Sequence, residues 1–117
     1  MPYSILGKNA MLDNLGTLAV FASLHTADPG ENGINEVTGG SPAYARKSLT
    51  WNAAAAGSMD DSNAPVFDVP ASTTVAFVGF WSAATAGTFY GSADVTDEVF
   101  GAQGTYTLSD ADLDLNL

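Results

Sequence analysis

The sequence predicts an all-β protein: a single-domain Greek-key sandwich or small barrel carrying a short N-terminal helix. Three observations predict it. Apolar residues alternate with polar ones in several short runs. Clusters of Gly, Pro, Asn, Asp and Ser break those runs about every 8 to 12 residues, the spacing of all-β sandwiches and barrels. Charged residues make up only 14% of the 117, while Gly numbers 12, a balance suited to strands and tight turns rather than charged helices. Residues 1–16 form the helical segment and 17–117 the β-sandwich of one domain, with roughly seven or eight short strands expected.

The helix is expected from Ser4 to Gly16. Ser4 can accept a bond from an early amide, Ile5, Met11, Leu12 and Leu15 recur at spacings that share a face, and Gly16 suits the position just past the end. A helix this short needs tertiary support, so it should lie against the sheet or a neighbour. From Leu18 to His25 the pattern becomes that of a strand near the middle of a sheet. Asp28-Pro29-Gly30 ends it and opens a long exposed loop to Pro42, crowded with Gly, Asn and Asp. Long loops in small domains are often interaction surfaces.

Ala43 to Trp51 alternates, with Tyr44, Leu49 and Trp51 as its bulky apolar members. Its phase slips between Tyr44 and Leu49, as a bulge near Lys47 or Ser48 would require. Ala53 to Gly57 is too short and badly flanked for a helix. Val66 to Val69 lies between Pro65 and Pro70, which marks an edge or strand start. Thr74 to Ala83 is apolar on both faces and belongs in the middle of the domain, with Thr85-Ala86-Gly87 turning it into a hairpin partner, Thr88 to Gly91. In the tail, Tyr106 and Leu108 are even-numbered while Ala111, Leu113, Leu115 and Leu117 are odd. The buried face must therefore switch across Ser109-Asp110, leaving Asp110, Asp112 and Asp114 on one side.

The charge balance excludes whole classes of partner. Three Lys and Arg stand against thirteen Asp and Glu, a net charge of −10. Nucleic acid binding needs cations that displace counterions from phosphates, so it is excluded, and an anionic membrane surface is disfavoured by the same argument. Without cysteine there is no disulfide, thiolate nucleophile or Cys-type zinc site. The first residues lack a cationic segment followed by a long apolar run, so no signal peptide is expected. No apolar run approaches the roughly 20 residues of a membrane helix.

Chemistry-bearing clusters are few. His25 is the only histidine, no G-x-S-x-G elbow accompanies it, and a lone histidine at a strand end is expected to pack or hydrogen-bond. Asp60-Asp61 and Asp97-Glu98 are adjacent carboxylates, whereas glycosidases place theirs on separate elements, so solvated turn charge is the expected role. Asp28, Glu31, Asn32, Asn35 and Glu36 offer oxygen ligands of the kind calcium prefers, without the spacing of an EF-hand loop. Trp81, Phe89 and Tyr90 could form an aromatic sugar platform, with core packing the preferred reading. No catalytic residue, cofactor or metal site is expected. The residues singled out for contact with a partner are Lys8, Asp28, Glu31, Asn32, Asn35, Arg46 and Lys47. The loop is the obvious place for binding, and Lys8 and Arg46-Lys47 are the only basic points available to an acidic partner.

Two blocks resemble a known family. Leu24-His25-Thr26-Ala27-Asp28-Pro29-Gly30, the following loop through Asn35-Glu36-Val37, and Tyr44-Ala45-Arg46 form the first. Phe80-Trp81-Ser82-Ala83-Ala84-Thr85-Ala86-Gly87 with Phe89-Tyr90-Gly91 forms the second, and Asn9-Ala10-Met11-Leu12 stands where the family has its helix. The combination resembles the small structural proteins of tailed bacteriophages, of the tail-fibre-like and head-decoration kind. That resemblance implies a non-enzymatic virion protein with an immunoglobulin-like or jelly-roll fold. Because no shaft repeat or coiled coil is present, the expected role is a capsid decoration protein on the outer surface of the head. It would bind the major capsid protein or itself, by analogy as a trimer. The alternative is a tail-fibre-like or tail-tip adhesin that binds a host surface polymer.

Overall fold

The computed structural model describes residues 3–109 and 111–115. Met1, Pro2, Asp110, Asn116 and Leu117 lie outside the described residues, and with them the phase switch expected at Asp110 and the last apolar position of the tail. The chain opens with helix α1, Ile5–Leu18, capped by Ser4, whose Oγ accepts the Gly7 N–H at 3.1 Å. The helix runs two residues beyond Gly16 and stops at Ala19, whose N–H returns to the Leu15 carbonyl. Gly16 is therefore interior, not a cap, and its missing side chain lets α1 approach Met59 and Trp51. Of the expected apolar face only Leu12 is buried, while Ile5 and Met11 stay exposed.

Eight strands follow among the described residues: β1 Phe21–His25, β2 Lys47–Ser48, β3 Ser58–Asp60, β4 Val66–Val69, β5 Thr73–Trp81, β6 Phe89–Phe100, β7 Gly104–Thr107 and β8 Asp112–Asp114. They pair antiparallel in a four-stranded sheet, β2-β1-β5-β6, and in two-stranded sheets β3-β8 and β4-β7. The class is all-β with one short N-terminal helix, as the sequence predicts. β5 lies between β1 and β6, and Val75, Ala76, Val78, Phe80 and Trp81 are buried on its two faces. Leu24, Leu49, Phe67, Val69 and Leu108 complete the core around it. Each such side chain contributes about 1.5–3 kcal/mol on burial.

β4 and β5 on one side, and β6 and β7 on the other, form one long antiparallel ribbon with a corner. Pairing stops at Val69↔Gly104 and resumes at Thr73↔Phe100 in the same register, leaving three unpaired residues on each strand. Pro70 has no N–H to offer there, and Ser72 takes a left-handed φ of 58°. The corner carries the ribbon from the four-stranded sheet into the β4-β7 pair, as strands do when they switch layers.

Two strands differ from expectation. β6 is twelve residues long, where only Thr88 to Gly91 was expected. Its inward positions after Phe89 are Gly91, Ala93 and Val95, too small to give the alternation a strong contrast against Ser92 and Asp94. Conversely, Ala43 to Trp51 contributes only Lys47–Ser48 to a ladder. Tyr44 and Arg46 turn inward as polar anchors, and Trp51 meets Asp61 in an isolated bridge. The Ala53 to Gly57 stretch ends in a two-residue turn, with Ala56 at φ 52° and Gly57 at 78°, closed by paired bonds between Ala55 and Ser58.

Candidate functional site

The two sequence blocks meet at one polar network in the interior. Ser23 and His25 share a face of β1, and both are 0% exposed. Trp81, on the neighbouring strand β5 in register with Phe21, donates its indole N–H diagonally to Ser23 Oγ at 2.8 Å, and Ser23 Oγ lies 2.6 Å from His25 Nε2. His25 Nδ1 sits 2.8 Å from the Ile34 carbonyl, which can only accept. Nδ1 therefore carries a proton, and in the neutral imidazole Nε2 accepts from the Ser23 hydroxyl. Burial pushes its pKa below the ordinary 6.5 despite the opposing pull of the Ile34 carbonyl and the Glu36 charge.

Beside it, Arg46 closes a second set of bonds. Its Nε and Nη2 donate to Glu36 Oε2 and Oε1 at 2.9 and 3.0 Å, and its Nη1 donates to the carbonyls of Ala83 and Ala86 at 3.0 and 2.9 Å. The guanidinium lies 3.6 Å over the Trp81 ring. Tyr44 donates to Glu36 Oε2 at 2.8 Å and accepts the Leu24 N–H. Burial pushes the Glu36 carboxyl up, but the bonds from Arg46 and Tyr44 and the Arg46 charge outweigh it and leave it below its ordinary value. Burial drives the Tyr44 phenol well above its usual range. Loop 26–46 and the turn at 82–88 are thus riveted to each other.

The network resembles a nucleophile–base pair in its distances but not in its access. Ser23 Oγ faces Trp81 and His25 and is fully buried, and the imidazole is oriented by a carbonyl rather than a carboxylate. Two glycines keep it closed. A Cβ on Gly33 would stand 2.5 to 2.6 Å from the Trp81 ring, and one on Gly79 would strike Ser23 Oγ and sit 2.7 Å from His25 Nε2. His25 is the packing and hydrogen-bonding residue the sequence suggests.

The residues singled out for partner contact divide between shaping and exposure. Asp28 Oδ1 accepts the Gly30 N–H, and its carbonyl accepts from Asn35 Nδ2, so both residues shape the loop. Glu31 and Asn32 are exposed at its rim, Lys8 lies half-buried on α1, and Lys47 half-buried on the edge strand β2. Arg46 is internal, its side chain 9% exposed. No group of three or more metal-ligating side chains gathers among the described residues. Trp81 is buried under Arg46 while Tyr90 is 37% exposed, so they do not share a platform. Asp61 accepts the Ala111 N–H through Oδ1, and Asp97 and Glu98 lie at the ribbon corner near Tyr106, whose phenol burial and the Glu98 charge push up.

Sequence reasoning missed Glu36 as the partner of Arg46 and Ser23 as the partner of His25. The available signal was scarcity, since a chain with three basic residues and one histidine placed that histidine in an apolar strand, β1, and one of its adjacent basic pair, Arg46, immediately before β2. It also missed three open surfaces. A polar hollow of about 460 Å³ lies in the ribbon corner against Thr96 and Tyr106. A cleft of about 340 Å³ borders the Arg46 rivet at Thr38 and Thr85. A third, also about 340 Å³, separates α1 from Trp51 and Met59.

Such a molecule is a small all-β module whose buried polar network holds two loops to the sheet. The family model described as Podophage GP4 fiber I protein gp80 matches residues 8–115, and the chain belongs to this family of phage fibre proteins. No curated protein and no solved structure matches it. Among the described residues no helix is long and apolar enough to cross a membrane.

Proposed function

We propose that the chain is a non-catalytic component of the phage fibre apparatus, presenting a rigid loop surface toward the host. The observation that carries this reading is the Arg46–Glu36–Trp81 rivet, which fixes two surface loops to the sheet within a chain of the fibre family. A rigid loop loses little entropy when it binds, which suits repeated presentation on a virion. Glu31 and Asn32 at the rim are the contact residues of this reading, with Asp28 and Asn35 holding their conformation. Head decoration, expected first from the sequence, is the weaker reading because the family description names a fibre. Electron microscopy of virions carrying an affinity-tagged copy tests it: label at the tail supports the fibre role, and label spread over the head lattice overturns it.

A further inference from the structure

Helix α1 covers only one of its sides. Asn9 Oδ1 accepts the Gly57 N–H, Asp13 Oδ1 accepts the Ala54 N–H, Leu12 is buried, and Gly16 packs close to Met59 and Trp51. These four recur at i, i+3, i+4 and i+7, so they define the side that meets the body. The rest of the helix is open and apolar. From Tyr3 to Met11 every exposed residue except the cap Ser4 is apolar: Tyr3, Ile5, Leu6, Ala10 and Met11. Leu6 is 82% exposed, and Leu18, two turns beyond Met11 on the same side, is 41% exposed.

These side chains are gathered rather than scattered. Of the nine large apolar residues exposed among the described residues, five lie between Tyr3 and Leu18, while Ile34, Val66, Tyr90 and Val99 are spread over the loop, β4 and β6. Isolated apolar residues are ordinary on a surface, whereas a patch marks a face that another chain covers. With about 200 Å² for a fully exposed residue of this kind, their fractions leave about 500 Å² open on each copy and about 1,000 Å² on a pair, where specific interfaces begin.

Charge identifies the occupant. Residues 3–18 hold one basic and one acidic residue, Lys8 and Asp13, so the whole net charge of −10 lies on the rest of the chain. Two copies repel where those other surfaces meet, and α1 is the face on which they do not. A basic partner would be drawn to the acidic remainder instead. We propose that α1 is a self-association face, on which a second copy of the chain lays its own α1 antiparallel about a two-fold axis. The antiparallel arrangement sets each helix N-terminus beside the partner's C-terminus, the favourable alignment of two dipoles, and the two-fold axis lets one patch cover itself. This pairing is separate from the fibre reading and holds for either place on the virion.

Sedimentation of the full chain from about 1 μM to about 1 mM tests it, with NMR spectra along the same dilution series. A reversible monomer–dimer equilibrium is expected, with Kd in the micromolar range for an interface of about 1,000 Å², and with amide shift changes confined to residues 3–18. Raising salt from about 50 to about 500 mM should tighten the dimer, because it screens the repulsion between two acidic chains. Leu6→Glu should weaken it at least about tenfold. An acid in the first helical turn suits the dipole, so the melting temperature of the monomer should stay unchanged or rise. Val99→Glu, at a residue 74% exposed on β6, should leave the dimer intact. The proposal is overturned by a chain that stays monomeric at about 1 mM, by undiminished dimerisation of folded Leu6→Glu, or by equal weakening in Val99→Glu. A trimer or larger ring overturns the two-fold pairing. The electron-microscopy label that assigns the chain to fibre or head alters none of these results.

Discussion

Replacing Arg46 with methionine is the sharpest perturbation of the fold, because one guanidinium joins four acceptors and a ring. Arg46→Met keeps an unbranched apolar side chain of similar reach and removes two bonds to Glu36, those to the Ala83 and Ala86 carbonyls and the cation over Trp81. Removing one partner of a buried ion pair costs about 3–5 kcal/mol. Glu36 is 22% exposed in its side chain and can regain some water, which places the cost near the lower end, at about 3 kcal/mol. Loss of the cation–π contact adds about 0.5–1 kcal/mol. Together this is a large part of the 5–15 kcal/mol that holds a typical domain folded, and lowers the melting temperature by about 10–15 °C. Urea unfolding followed by circular dichroism and tryptophan emission measures it. Adding Glu36→Gln should restore about 1–2 kcal/mol, because an unpaired amide is cheaper to bury than an unpaired carboxylate. A loss below about 1 kcal/mol, or a double variant showing only the sum of the single effects, would refute the rivet.

Two further outcomes concern the buried network and a third an exposed turn. With His25 held below its ordinary 6.5, the unfolded chain takes up a proton that the folded chain resists. Stability should therefore fall as pH drops below about 6.5, by at most about 1.4 kcal/mol per pH unit, and level off beneath the folded pKa. Glu36, held below its ordinary 4.5, adds a second loss at more acidic pH. His25→Gln should flatten the first phase in a pH series of urea midpoints, and an unchanged slope would assign it to other groups. Gly79→Ala forces a methyl into Ser23 and His25 and should cost about 1–3 kcal/mol by thermal unfolding. Ala56→Gly relieves a left-handed residue at φ 52° and should raise the melting temperature slightly, by about 0.5 kcal/mol of stability.

Much of the scaffold was legible because strand and helix signals are local. Ser4 as a cap and the doubly apolar run at β5 are read from neighbours in the sequence, and so are the turns that divide the strands. The long β6 was hidden by small inward residues, and α1 ran past Gly16 because the reason for that glycine lies on Trp51 and Met59 rather than in helix geometry. The candidate sites were least legible. Arg46 and Lys47 are adjacent and equally basic, yet Arg46 points into the molecule while Lys47 lies on the edge strand, and no local pattern separates them.

By itself the sequence determined the class of fold, the absence of cysteine chemistry and the acidic surface, since period, composition and charge are properties of the chain read in order. Tertiary structure alone decided which polar residues meet. The bond from Trp81 to Ser23 and the pairing of Arg46 with Glu36, Ala83 and Ala86 depend on β1 and β5 closing as neighbours in register. The Trp51 cleft likewise exists only where α1 lies across the β3 side of the molecule. Such contacts join residues far apart in the chain, and their partners are chosen by packing in three dimensions, where sequence periodicity carries no information.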